Sequence, residues 1–203
     1  MRYNELTFQG RNAVLEAFRS GKTIDKLFIL DGCQDGPIKS IVREAKKTDA
    51  IINYVDKERL DRLAGTGHHQ GVVAIGAAYE YAEVEDILAA AKEKGEDPFI
   101  FILDEIEDPH NLGAIIRTAN LAGAHGVIIP KRRAVGLTAT VAKTSAGAIN
   151  YTPVAKVTNI SQTIEELKKQ GLWFVCADMG GETMYNLNLK GPIGLVIGNE
   201  AME

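Results

Sequence analysis

Apolar residues recur along the chain in two rhythms, a helical spacing and short unbroken runs, and the two alternate from end to end. Ala13, Val14, Ala17 and Phe18 give Arg11–Arg19 a helical period closed by Gly21. Lys26–Leu30 (KLFIL) predicts a strand, Ile38–Lys47 an amphipathic helix, Ile51–Val55 a second strand and Lys57–Leu63 a short helix. Gly71–Ala78 (GVVAIGAA) follows as a buried strand. Strands and helices of these lengths in alternation predict a small α/β layer over residues 1–78.

The character changes over residues 79–98. Glu80, Glu83, Glu85 and Asp86 open this stretch, an Ala-rich helix (Ile87–Lys94) sits inside it, and Gly95-Glu96-Asp97-Pro98 ends it. It is expected to be an exposed acidic linker between two domains. From residue 99 a second α/β unit is expected, running to residue 203. Phe99–Asp104 is continuously apolar up to its last residue, as a strand covered on both faces should be. Gly126–Pro130, Trp173–Asp178 and Ile193–Gly198 repeat the pattern, with helical stretches at Leu112–Ala122, around 137–149 and at Ile160–Gln170. The expected architecture is a mostly parallel sheet with helices on its faces.

The chain has 203 residues, 45% of them hydrophobic and 25% charged, with a formal net charge of −4. The charge is uneven. Residues 1–75 carry 12 Lys/Arg against 10 Asp/Glu, residues 76–98 carry 2 against 7, and residues 99–203 carry 9 against 10. An acidic total argues against indiscriminate coating of nucleic acid, which rests on many phosphate contacts. It leaves room for a local basic site, for which Lys131-Arg132-Arg133 is a candidate; a solvated turn after a strand explains the same residues. No apolar run approaches a membrane span and the N-terminus shows no signal-like apolar region, so a cytoplasmic location is expected. Cys33 and Cys176 are expected to be reduced, buried thiols.

Several chemistries lack their motifs. There is no G-x-G-x-x-G after a strand, no phosphate-binding G-x-x-x-x-G-K-[ST] loop and no G-x-S-x-G elbow. The four histidines (His68, His69, His110 and His125) and two cysteines show no metal-ligand spacing, and no metal is expected. His68-His69 is expected to form a polar turn before the strand at 71–78.

The informative segment is Leu103–Asn120, which runs from a strand end through the loop DEIEDPHN into a helix. Pro109 disfavours helix at Asp108, and Asn111 is a good N-cap for a helix beginning at Leu112. In the simplest account Asn111 only caps and Arg117 only forms a surface ion pair. The helix faces argue for more. Leu112, Ile115, Ile116, Ala119 and Ala122 share one face, while Gly113, Ala114, Arg117 and Leu121 share the other. Gly, Ala and Leu around a single Arg suit close approach of another backbone, either a partner subunit or a ligand.

Residues 108–130, DPHNLGAIIRTANLAGAHGVIIP, resemble the first motif of the SpoU/TrmH group of SPOUT RNA methyltransferases. KTSAGAINYTPV (143–154) and IGLVIGNEAME (193–203) resemble that group's later segments in the same order. FQGRNAVLEAF (8–18) and HHQGVVA (68–74) resemble the two ends of the small substrate-binding domain of its bacterial 23S rRNA ribose methyltransferases. The resemblance covers essentially the whole chain.

It implies an enzyme that moves a methyl group from S-adenosylmethionine to a ribose 2′-hydroxyl, with a guanosine of 23S rRNA as the expected target. It also implies a homodimer and a trefoil knot in the C-terminal domain that forms the cofactor pocket. Asn111 and Arg117 match the first-motif Asn and Arg, and Glu200 the acidic residue of the second motif; these three are the expected catalytic residues. Ile197, Gly198 and Asn199 match the loop expected to hold the cofactor, with Asp178 and Met179 bordering the same pocket. Members of the group continue with a third motif that completes the knot; either a tail follows Glu203, or the chain is truncated there and is expected to lack one pocket wall and part of the dimer face. Two other readings stay open: a tRNA 2′-O-methyltransferase, and a non-catalytic RNA-binding homologue.

Overall fold

The computed structural model describes residues 6–48, 50–65 and 67–198. They form two compact units, one running to Glu80 with Gly136–Ala139 added, the other comprising Tyr81–Val135 and the chain from Thr140 onward.

The first unit is built on β1 (Leu6–Gln9), α1 (Arg11–Arg19), β2 (Ile24–Leu30), α2 (Gly36–Lys47), β3 (Ile51–Val55), α3 (Lys57–Ala64) and β4 (Val72–Gly76). Its sheet has the order β1-β4-β2-β3, with β2 and β3 parallel and the other pairs antiparallel. Successive side chains of a strand point to opposite faces, so a strand between two helical layers must be apolar throughout. Leu27, Ile29, Val72 and Ala74 meet Val14, Phe18, Ile38 and Ile41 of α1 and α2 on one side. Phe28 and Val73 meet Leu60 and Ala64 of α3 on the other. Asp35 and Asp56 start α2 and α3 by accepting hydrogen bonds from the amides of Ile38 and Arg59.

The second unit contains α4 (Val84–Lys94), β5 (Phe99–Leu103), α5 (Pro109–Leu121), β6 (Gly126–Pro130), α6 (Ala139–Thr144), β7 (Val154–Val157), α7 (Ile160–Lys169), β8 (Trp173–Ala177) and β9 (Ile193–Ile197). Its five strands are all parallel in the order β7-β6-β5-β9-β8. Ile87, Ile100, Ile102, Ile128, Ala155, Leu167 and Leu172 form the core under one face. Leu112, Ile116 and Ala119 of α5 are buried with the alternate strand residues Phe101, Leu103, Val127 and Ile129.

Several expectations are corrected. Residues 79–98 are not simply a linker: α4 places Ile87 and Ala91 in the core of the second unit, so its acidic positions are only the outer face of a packed helix. Gly126 is what lets Ile87 in, because a Cβ there would lie 2.5 Å from Ile87 Cδ1. β1 and β7, each four residues long, were not foreseen. Neither cysteine is buried, Cys33 being half-exposed and Cys176 exposed. His69, expected in a polar turn, is 5% exposed: its Nδ1 accepts from the Gly71 amide and its Nε2–H donates to Asp61. His125 does the same for Phe99 and Glu96. No helix among the described residues is long and apolar enough to cross a membrane.

If α4 belongs to the second core, Ile87→Ala leaves a cavity and lowers stability by about 2–5 kcal/mol. Urea denaturation checks this; a midpoint equal to that of the parent chain would return residues 84–94 to the role of a linker.

Candidate active site at a switch point of the parallel sheet

In the second sheet the chain steps from β5 outward to β6 and β7, then returns to place β9 and β8 on the other side of β5. The direction of winding reverses between β5 and β9, and ligands of open parallel sheets bind in the crevice beyond the carboxyl ends of such a pair. The register is explicit: Leu103 stands opposite Ile197, and Ile197 opposite Ala177. The Asp104 amide extends the ladder by one step, donating to the Ile197 carbonyl at 2.9 Å. Three strand ends, continuing at Asp104, Asp178 and Gly198, therefore open on one edge.

Gly198 is exposed, and a Cβ added to it would meet no described residue within 4 Å. Ile197 beside it is half-buried, and Asp178 and Met179 on the neighbouring strand end are exposed, Met179 to 96%. This group of expected pocket residues is brought together. Asn199 and Glu200 lie outside the described residues.

The loop from Asp104 leads into α5, and here the expected cap is corrected. The N-cap is Asp108, whose Oδ1 accepts from the His110 amide at 2.7 Å, and Pro109 takes the first helical position. Proline suits that position because its φ is preset and its missing N–H has no partner to lose there. Asn111 is consequently the third residue of the helix, exposed, with no hydrogen-bond partner for its side chain among the described residues. Arg117, also exposed, forms no ion pair with any described residue. The two structural duties that would have explained Asn111 and Arg117 are thus both vacant. Six residues of helix separate them by about 9 Å along the axis and about 120° around it, so the pair does not share one face.

Gly113 was expected on the open face and is buried instead. A Cβ there would run into the Thr144 side chain of α6, whose Oγ1 bonds the Thr140 and Pro109 carbonyls. The close backbone approach foreseen at this glycine is made by the chain's own α6. Ala122, expected on the packed face, is exposed, while Leu121 is 81% exposed as its placement on the open face implied.

One ion pair at the carboxyl edge of the sheet, between the β5 and β6 loops, was not foreseen. Arg133 in the loop after β6 reaches Glu105 in the loop after β5, with Nη1 to Oε1 at 2.7 Å. The Glu105 carboxylate, as hydrogen-bond acceptor and as neighbouring charge, pushes the Arg133 pKa up. Both residues have left-handed backbone, at φ 57° and 55°, an arrangement that concentrates at functional loops. The sequence signal was two charged runs, each following a strand, but only the pairing of β5 with β6 brings them together. It also consumes one cation of the candidate Lys131-Arg132-Arg133 site. Among the described residues no group of three His, Cys, Asp or Glu could hold a metal ion.

A family model described as the SpoU rRNA Methylase family matches residues 98–202, the portion that contains this crevice. The chain belongs to that family. A second model, described as RNA 2′-O ribose methyltransferase substrate binding, matches residues 9–82, so the SpoU chain carries both units in order. YacO of Bacillus subtilis (strain 168), named for the TrmH family of tRNA/rRNA methyltransferases, is 52% identical over 192 residues, spanning 94% of this SpoU chain and 77% of YacO. A TrmH-family protein of Staphylococcus aureus (strain MSSA476) is 47% identical, again over 94% of this chain and 77% of its own length. The fold is that of the SpoU methyltransferase AviRb of Streptomyces viridochromogenes, solved in complex with AdoMet, at a TM-score of 0.53 and 20% identity over 98% of this chain and 74% of AviRb. An rRNA methyltransferase from Sinorhizobium meliloti superposes with a TM-score of 0.51 at 23% identity, covering 96% and 72%. The two-domain α/β reading and the SPOUT fold are thereby established, and the chain is an RNA methyltransferase of the SpoU/TrmH family.

Gly113→Ala should lower stability by about 1–3 kcal/mol through overpacking against Thr144. Pairing it with Thr144→Ala should recover part of that loss in a double-mutant cycle read by thermal denaturation. Simple additivity of the two changes would show that the glycine answers some other neighbour.

Proposed function

We propose that the chain methylates a ribose 2′-hydroxyl of RNA with S-adenosylmethionine as donor, a guanosine of 23S rRNA as target and a cytoplasmic homodimer as the working form. The observation that carries this reading is the switch point with Gly198 exposed at its edge and, on the adjoining helix, an exposed Arg117 that pairs with no described residue. The residues present suit the cofactor. The exposed backbone at Gly198 offers amide and carbonyl contacts to a nucleoside, half-buried Ile197 offers an apolar wall, and Asp178 offers a carboxylate to a cationic group. Asn199 and Glu200, by their match to the family's second motif, would complete that edge.

The donor supplies an already activated methyl group on a sulfonium. What remains for the protein is to align the hydroxyl and to accommodate the negative charge that grows on its oxygen. Arg117 suits the second task as a fixed cation. A guanidinium stays protonated in proteins, so its role is to grip a phosphate and stabilise alkoxide character on O2′, not to remove the proton. Asn111, with no capping duty, offers its amide as a polar contact to the ribose or phosphate. Arg117 stands about two turns into α5, away from the strand ends that its own chain opens. That position suits action on RNA held at the crevice of a second copy, the arrangement a homodimer supplies.

A 2′-hydroxyl target also accounts for the division of labour between the units. The chemistry needs no reading of a base edge, so choice of site falls to the unit at residues 9–82, whose matching model is described as substrate binding. Ribosomal RNA is preferred over tRNA because the resemblance of GRNAVLEAF and HHQGVVA is to the substrate-binding domain of rRNA enzymes.

Titration calorimetry with S-adenosylmethionine should give saturable heat; its absence would favour a module that only binds RNA. In a tritiated-methyl assay on 23S rRNA transcripts, Arg117→Lys should stay about 10²–10³-fold below the parent in kcat, because a point charge lacks the planar fork. Recovery of most turnover by the lysine variant would refute the proposed role. Replacing the target ribose by 2′-deoxyribose should abolish methyl incorporation.

A further inference from the structure

The first unit contains a groove of about 640 Å³ where α1 and α2 begin beside the end of β2. Half-buried Leu30 and Cys33 make its floor, exposed Pro37 stands beside them, and Arg11, Asn12 and Gln70 are its polar rim. The corner is rigidly made. The Arg11 amide donates to Gln70 Oε1, Arg11 Nε donates to the Gln70 carbonyl, and Arg11 Nη2 donates to Asp35, the cap of α2. Gln70 is held in left-handed backbone at φ 51°, next to Gly71 at φ 81°. The turn is pinned from beneath by buried His69, which accepts the Gly71 amide and donates to Asp61. A Cβ on Gly71 would come within 3.1 Å of Cys33 Sγ, so the glycine preserves the meeting of turn and floor.

Strain in a non-glycine residue persists only where the surroundings over-determine it, and such residues concentrate at ligand clamps. The chemistry of the rim narrows the ligand. Arg11 is already neutralised by Asp35, so the groove is not a phosphate cradle. Asn12 has no hydrogen-bond partner among the described residues, leaving both amide donors and its acceptor open on the rim. An apolar floor, a guanidinium plane and an unsatisfied carboxamide fit a group with a flat face and a donor–acceptor edge. Cations for the chain that carries such a group lie nearby. α2 starts at the groove and exposes Lys39, Arg43, Lys46 and Lys47 along one side, with Glu44 as its one acid.

We propose that this groove receives an unstacked nucleobase of single-stranded RNA, with the flanking phosphates lying along the cationic side of α2. The proposal rests on the reading of the chain as an RNA methyltransferase and adds to it the place where the first unit grips its substrate. Single-stranded RNA is recognised in this way, by stacking a splayed base on a side-chain plane and bonding its edge. Asn12 reads the edge, the Arg11 plane and the Pro37 ring bracket the face, and Gln70 closes one side.

The test uses the full chain with Cys176→Ser, so that Cys33 is its one thiol, and needs no methyl donor. A 12-nucleotide single-stranded RNA should slow maleimide labelling of Cys33 roughly tenfold, while the same sugar–phosphate chain made abasic should not. Asn12→Ala and Gln70→Gly should each weaken anisotropy-measured binding of that RNA roughly tenfold. The Gln70→Gly variant keeps the left-handed backbone accessible, and coincident thermal melts show that the fold is intact. Lys39→Ala with Arg43→Ala should instead flatten the salt dependence of binding. Tight RNA binding with unchanged Cys33 labelling, or parent-like affinity in both rim variants, overturns the subsite while leaving the methyltransferase reading standing. A chain that binds no RNA at low salt overturns the subsite and the substrate role of the first unit together.

Discussion

The hydrogen-bonded register that sets Leu103 beside Ile197, and Ile197 beside Ala177, is the constraint on which the candidate active site depends. Parallel pairing fixes which residue of each strand is last, and so which loops leave from one edge. Had β9 been added outside β7, Gly198 would open far from the Asp104–Asp108 loop and no crevice would separate the two directions of winding. The two-sided burial of β5 enforces the arrangement. Ile100 and Ile102 face α4 and α7 while Phe101 and Leu103 are buried on the opposite side, so neither flank of this strand can be left to solvent.

The same two-sided demand made most of the fold legible from sequence. KLFIL, GVVAIG, FIFIL, GVIIP and IGLVIG are too short and too uniformly apolar for surface helices, and each is a strand. β1 and β7 escaped for the opposite reason. Leu6–Gln9 is an edge strand with no fully buried residue, and Val154–Val157 is the other sheet's edge, with Lys156 breaking its apolar run. In the acidic stretch the charges mask the period: Ile87 and Ala91 lie four residues apart, the spacing of a packed face.

At the candidate site the residue types were legible and the local geometry only partly so. Asn111 reads as a cap, but Asp108 followed by Pro109 offers a better helix start three residues earlier, and the chain takes it. Gly113 signalled close approach correctly, yet a helical wheel cannot say which segment approaches, and Thr144 lies 31 positions away in sequence. The Arg133–Glu105 pair depends on the pairing of two strands, which neither strand encodes alone.

Helix α5 is secured entirely from within. Asp108 closes its start, Gly113 seats it on α6, Leu112, Ile116 and Ala119 bury it, and Asn120 accepts from Thr152 near its end. None of these ties involves the side chains of Asn111, Arg117 or Leu121. The letters that hold the fold and the letters it leaves unused are therefore interleaved in one thirteen-residue word. Selection on foldability acts on the inner letters alone, so whatever constrains the outer ones must come from what the helix meets beyond its own unit.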